Sequence, residues 1–133
     1  MLGSVHASPV LLYGALAGNL VLVVAAAAAI PRNRPLGSWF WGAVHLVAAL
    51  VVVQAVAGLG AYVDGSQPGR GLHLLYGSLA GAGAIVQVAL RPGGRVRRRY
   101  ADALAGREAR VLALVCLTEF GLLARAWMTG LGR

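Results

Sequence analysis

The chain has little of what a soluble protein is built from. Charged residues make up 12% of its 133 residues, about half the share usual in soluble domains. That leaves no room for a separate soluble unit, and residues 1–133 read as one membrane domain. There is one cysteine, Cys116, so an intramolecular disulfide is excluded. Acids number four, and only Glu119 falls inside a long apolar stretch. A phosphate-binding loop, zinc-type Cys/His spacing and a serine nucleophile elbow are all missing. No catalytic residue and no protein-built metal site is therefore assigned, and the chain is not expected to be an enzyme. Lysine is absent too. Arginine alone supplies the cations, and the net charge is +8.

What is present is a rhythm of four apolar stretches, residues 10–30, 39–62, 72–90 and 111–128. Each is long enough to cross about 30 Å of hydrocarbon at roughly 1.5 Å per residue. The expected fold is all-α, an antiparallel up-down bundle of four transmembrane helices. Their spans are about 9–30, 38–62, 71–90 and 109–129. Pro9 suits a helix start, and Pro31 and Pro35 stop the first helix. Asp64-Gly-Ser-Gln-Pro-Gly69 and Arg91-Pro-Gly-Gly94 are turn clusters. Residues 1–30 lack the positive start of a signal peptide and read as a retained helix. A short helical lead-in over residues 101–109 is expected on the inner surface. The small-residue spacings Gly14-x-x-x-Gly18 and Gly77-x-x-x-Gly81 suit close helix packing.

The arginines are distributed unevenly. Arg32, Arg34, Arg91, Arg95, Arg97, Arg98, Arg99, Arg107 and Arg110 belong to two connections on one side. Only Arg70 and Arg133 lie near the other side. Short loops rich in arginine stay in the cytoplasm, so both termini are expected outside a bacterial-type inner membrane. Trp39 and Trp41 would then sit at the inner interface and Trp127 near the outer one. Arg95, Arg97, Arg98 and Arg99 form a surface for anionic lipid headgroups or a partner subunit. Nucleic acid is not expected, because no aromatic interleaving or recognition fold accompanies the charge.

Polar residues inside the stretches carry the functional evidence. Counting by rise places Glu119 and Asn19 near mid-membrane, with His45 and Gln87 on the inner half. Gln54, Tyr76 and Arg125 share an outer level, with His73 and then His6 above it. Asn19 and His45 are the expected partners of Glu119. His73, Tyr76, Gly77, Ala80, Ala84 and Gln87 recur at helical spacing and share one face, small and polar enough for a bundle interior or a flat cofactor. His45 cannot join His73, since antiparallel helices hold them roughly 18 Å apart along the normal. His6 can, because helices 1 and 3 are parallel and both histidines start them. Haem b between His73 and His6 is the resulting cofactor candidate, with Tyr76 beside it and Arg125 neutralising its propionates.

The segment Gly71-Leu-His-Leu-Leu-Tyr-Gly77 and the small face beneath it resemble one four-helix half of haem A synthase, or a b-type cytochrome bundle. More broadly, the chain resembles small four-helix bacterial proteins of energy-converting membranes. The resemblance implies histidines paired across helices at matched depth. Helix 4 departs from it by having no histidine. Three functions are consistent with these residues. One is a non-catalytic accessory subunit of a respiratory or photosynthetic complex engaged in electron transport. Another is a haem-b protein using His73 and His6. The third is a proton path or small transporter centred on Glu119.

Overall fold

A chain meant for hydrocarbon must satisfy every backbone N–H and C=O internally, which long apolar helices do without help from side chains. The computed structural model, which describes residues 6–65 and 71–131, follows this rule. Helices α1 (Pro9–Ala29), α2 (Ser38–Val63), α3 (Gly71–Ala89) and α6 (Glu108–Gly130) are each long and apolar enough to cross a membrane. The protein is thus an all-α, multi-pass membrane protein with a four-helix core. Two short helices, α4 (Arg95–Arg99) and α5 (Ala101–Leu104), replace the single lead-in expected over 101–109. Gly106, at φ +66°, turns the chain after α5 and breaks that lead-in before α6.

Punctuation falls where the sequence places it. Pro9 occupies the first turn of α1, where its missing N–H costs nothing. Asn33, at φ 45°, turns the chain between α1 and α2. Residues 66–70 and 132–133 lie outside the described residues, and with them Arg70, Arg133 and most of the turn cluster after Asp64.

Contacts fix the bundle. Around the ring, α1 packs on α2 and α6, and α3 packs on α2 and α6. Gly14 faces Leu50 and Gly18 faces Val47, so α1 and α2 run antiparallel. Gly83 meets Glu119 and Gly130 meets His73, so α3 and α6 do as well. His6 meets His73 and Asn19 meets Gln87, so α1 and α3 run parallel, diagonal to each other. In each packing pair the second glycine makes the closer approach. A Cβ at Gly81 would come 3.3 Å from Ala55, whereas one at Gly77 would meet nothing within 4 Å.

The interior is small and the exterior large. Ala15, Ala26, Ala48, Ala57, Ala61, Ala80, Ala84 and Ala126 are buried, while Val21, Val24, Leu46, Val56, Ile85 and Leu114 point outward. Helices in lipid gain nothing by hiding leucine, so they bring small residues together for close van der Waals contact. Two apolar clusters result. One, around Leu22, Phe40, Val44 and Leu112, lies at the end carrying the arginines. The other, around Ala15, Val51, Ala80 and Leu123, lies towards the end carrying His6 and His73. Trp41 is buried among the helices at the arginine end, with the Arg97 guanidinium 5.9 Å over its ring.

Candidate functional site

Two side-chain contacts cross the diagonal of the bundle, and both join α1 or its approach to α3. The first is at the histidine end. His6, just before α1, and His73, in the first turn of α3, face each other with Nε2 atoms 3.2 Å apart. Their rings are inclined at 72°, with centroids 5.4 Å apart. The Nδ1–H of His6 donates to the Gln54 carbonyl at 3.1 Å, and that of His73 to the Ala126 carbonyl at 2.8 Å.

Those two bonds decide the tautomers. A carbonyl only accepts, so each Nδ1 carries the proton. In the neutral rings both Nε2 atoms then present lone pairs to each other. Two acceptors at 3.2 Å are reconciled by a shared proton or by a cation between them. Nδ1–H bonded to a backbone carbonyl with Nε2 free is also how proteins orient a metal-ligating histidine.

Glycines make room for both rings. A Cβ at Gly58 would stand 2.7 Å from the His6 ring, and one at Gly130 would stand 3.1 Å from His73. Neither glycine carried a signal in the sequence. Beside the pair lies a cavity of about 450 Å³, within the usual range for cofactor sites. Gly77, Ala80 and Ala126 form its small walls, Leu123 and Trp127 its apolar ones, and Gln54 adds a polar edge. Gln54 also donates from Nε2 to the His6 carbonyl at 3.5 Å, and its Oε1 has no partner among the described residues.

Tested against this cavity, the expected residues divide. His6, His73 and Gln54 come together. Arg125 and Tyr76 do not line the cavity; Arg125 is exposed and lies 5.5 Å over the Tyr76 ring, outside the bundle. The counted height was right, but the rotation of α6 turns Arg125 outward. Its expected role towards propionates is therefore not supported.

The second diagonal contact is deeper. Asn19 and Gln87 are fully buried, and Gln87 Nε2 donates to Asn19 Oδ1 at 2.8 Å. Asn19 Nδ2 donates in turn to the Ala15 carbonyl at 3.2 Å. Glu119 is buried beside Gly83, and neither of its oxygens has a hydrogen-bond partner among the described residues. Asn19 is thus committed to Gln87 and not to Glu119. His45 is not a partner either. It is exposed on α2 and its Nδ1–H donates to the Trp41 carbonyl one turn back, at 2.6 Å. Gln87→Leu is expected to destabilise the bundle by about 0.6–2 kcal/mol, the span seen for hydrogen bonds between membrane helices. Removing both amides, as Asn19→Leu with Gln87→Leu, should recover part of that loss, because no polar atom is then stranded. Thermal unfolding in detergent reads both.

At the arginine end, the four surface arginines also divide. Arg97 turns inward and its Nη1 lies 2.7 Å from Glu108 Oε1. Arg98 Nη1 donates to the Gly93 carbonyl at 2.7 Å. Arg95 and Arg99 are exposed, as a lipid-facing surface requires.

Among the described residues, no group of three or more His, Cys, Asp or Glu side chains could hold a metal ion. A metal between His6 and His73 would have to bring its remaining ligands with it, as the iron of a haem does. Imidazole–metal bonds are about 2.0–2.1 Å long, so the two Nε2 atoms would need to separate by under about 1 Å. The paired imidazoles and the small walls suit the iron and ring of that group, while no arginine among the described residues lines the cavity to meet its propionates. No family model matches the chain, and no curated protein or solved structure matches it either.

Proposed function

We propose that this protein is a small electron-carrying subunit of an energy-converting membrane, binding one b-type haem through His6 and His73. One observation carries the reading: two imidazoles, each with Nδ1–H committed to a backbone carbonyl, direct their free Nε2 atoms at each other across 3.2 Å. The small-walled cavity beside them supports it. A haem bound there would supply one-electron transfer through its iron. The chain's own part is to fix both ring orientations, through Gln54 and Ala126, and to surround the site with apolar side chains.

The subunit role follows from what surrounds the pair. One electron carrier near one end of the bundle neither spans the membrane nor performs chemistry on a substrate, so it needs a donor and an acceptor in other proteins. The arginine end is assigned to the cytoplasm, where basic short loops are retained, and the histidine pair to the outer half of a bacterial-type inner membrane. Protein purified from cells supplied with haem precursor is expected to show a Soret band and a reduced-minus-oxidised α band. A flat difference spectrum would overturn the haem assignment and favour a shared proton between the rings.

A further inference from the structure

The end of the bundle opposite the histidines holds a second cavity, of about 550 Å³. Four parts of the chain build it, α5 and the turn after it supplying apolar wall and the other three the polar groups. The α1–α2 connection contributes Asn33 and Arg34, α4 contributes Arg97, and the start of α6 contributes Glu108 and Arg110. Glycine shapes the segment that covers it. A Cβ at Gly94 would stand 2.5 Å from the Ala89 carbonyl, so only glycine lets the chain fold back sharply beneath α3.

Charge in this cavity is unbalanced. Three guanidinium groups meet one carboxylate. Glu108 holds Arg97 at 2.7 Å, and the half-exposed pair contributes little energy in itself. Its effect is positional: Arg97 is pinned between Glu108 and the Trp41 ring. Arg34 and Arg110 make no hydrogen bond or ion pair among the described residues. The first turn of α6 adds its backbone N–H groups, which no capping side chain satisfies.

We propose that this cavity binds a phosphate-bearing anion, gripped by Arg34 and Arg110 with Arg97 held as its floor. Guanidinium forks match phosphate oxygens in pairs, which suits phosphate better than a point cation would. The cavity is of a size for a headgroup or a small soluble phosphate and far too small for a nucleic-acid duplex. Arg34 and Arg110 are exposed, as Arg95 and Arg99 are, but only the first two line the cavity.

Native mass spectrometry of the full chain in detergent tests the proposal, with phosphatidylglycerol, phosphatidylcholine and inorganic pyrophosphate as probes. The wild type is expected to prefer phosphatidylglycerol over phosphatidylcholine, or to bind pyrophosphate. The first result identifies a lipid headgroup as the source and the second a soluble phosphate. Two charge-assisted guanidinium–phosphate contacts are together worth at least about a hundredfold in affinity. Arg34→Gln with Arg110→Gln should lose most of that factor. Arg95→Gln with Arg99→Gln removes the same charge outside the cavity and should lose little. Circular dichroism of both double variants checks that the helices are retained. Equal losses in the two doubles, or none in the first, would overturn the site, as would a wild type that binds neither anionic probe.

Discussion

In protein loaded with haem, His73→Ala is expected to abolish the reduced-minus-oxidised signal, and His6→Ala to do the same. Each ring comes from a different helix approach, and no other histidine among the described residues stands beside them. The third histidine, His45, is exposed on α2, bonded to its own helix at the Trp41 carbonyl. His45→Ala should therefore leave the spectrum unchanged, which controls for general damage. His73→Ala also removes the donor to the Ala126 carbonyl, so some loss of stability accompanies it. Millimolar imidazole separates the two effects. The space left by the ring admits free imidazole, which should restore part of the signal if the ring was a ligand. Gly58→Ala and Gly130→Ala probe the same geometry from behind, pressing on His6 and His73 respectively. Both should shift the band rather than erase it. A signal that survives His73→Ala, or one lost equally in His45→Ala, would remove the pair from the role proposed for it.

Heights could be read in this sequence; rotations could not. Counting 1.5 Å per residue put His6 and His73 at one end, and the parallel course of helices 1 and 3 let them meet. The same count put His45 one turn from Glu119 and Arg125 level with Tyr76. The second height stands, since Arg125 lies over Tyr76, yet His45 and Arg125 both face away from the bundle interior. For His45 the physical cause is that α2 is apolar almost all round, so its sequence carries little directional pattern to say which face turns inward. Where small residues do line up, as at Ala80, Ala84 and Gln87 of α3, the buried face was legible. Glycines were hardest to read. Nineteen are present, and nothing local distinguishes Gly58, Gly83 and Gly130, where an added Cβ would meet a polar side chain, from Gly42 and Gly121, where it would meet nothing within 4 Å. Their role exists only once a second helix is in place.

Gly83→Ala is expected to be among the most damaging single substitutions in the membrane region, destabilising the bundle by about 1–3 kcal/mol. A Cβ there would overlap the Glu119 carboxylate and stand 3.1 Å from its Cδ. Glu119 is itself buried, so it has little room to withdraw. The prediction separates crowding from helix propensity through Gly121→Ala on α6. A Cβ at Gly121 meets nothing within 4 Å, so that change should be neutral or slightly stabilising. Glu119→Ala tests the other side of the contact. No hydrogen bond to a described residue is lost with it, because neither carboxyl oxygen has such a partner. Its cost is the lost dispersion contact around a void, without the hydrophobic term that water would add, since hydrocarbon surrounds the bundle. In the double variant the new methyl at residue 83 occupies space that the carboxyl has vacated. The two changes should therefore fall short of additivity by about 0.5–3 kcal/mol, the range for residues in direct contact. Thermal unfolding of the four proteins in one detergent closes the cycle. Additive costs, or a Gly83→Ala variant as stable as Gly121→Ala, would show that α3 and α6 do not meet through this glycine.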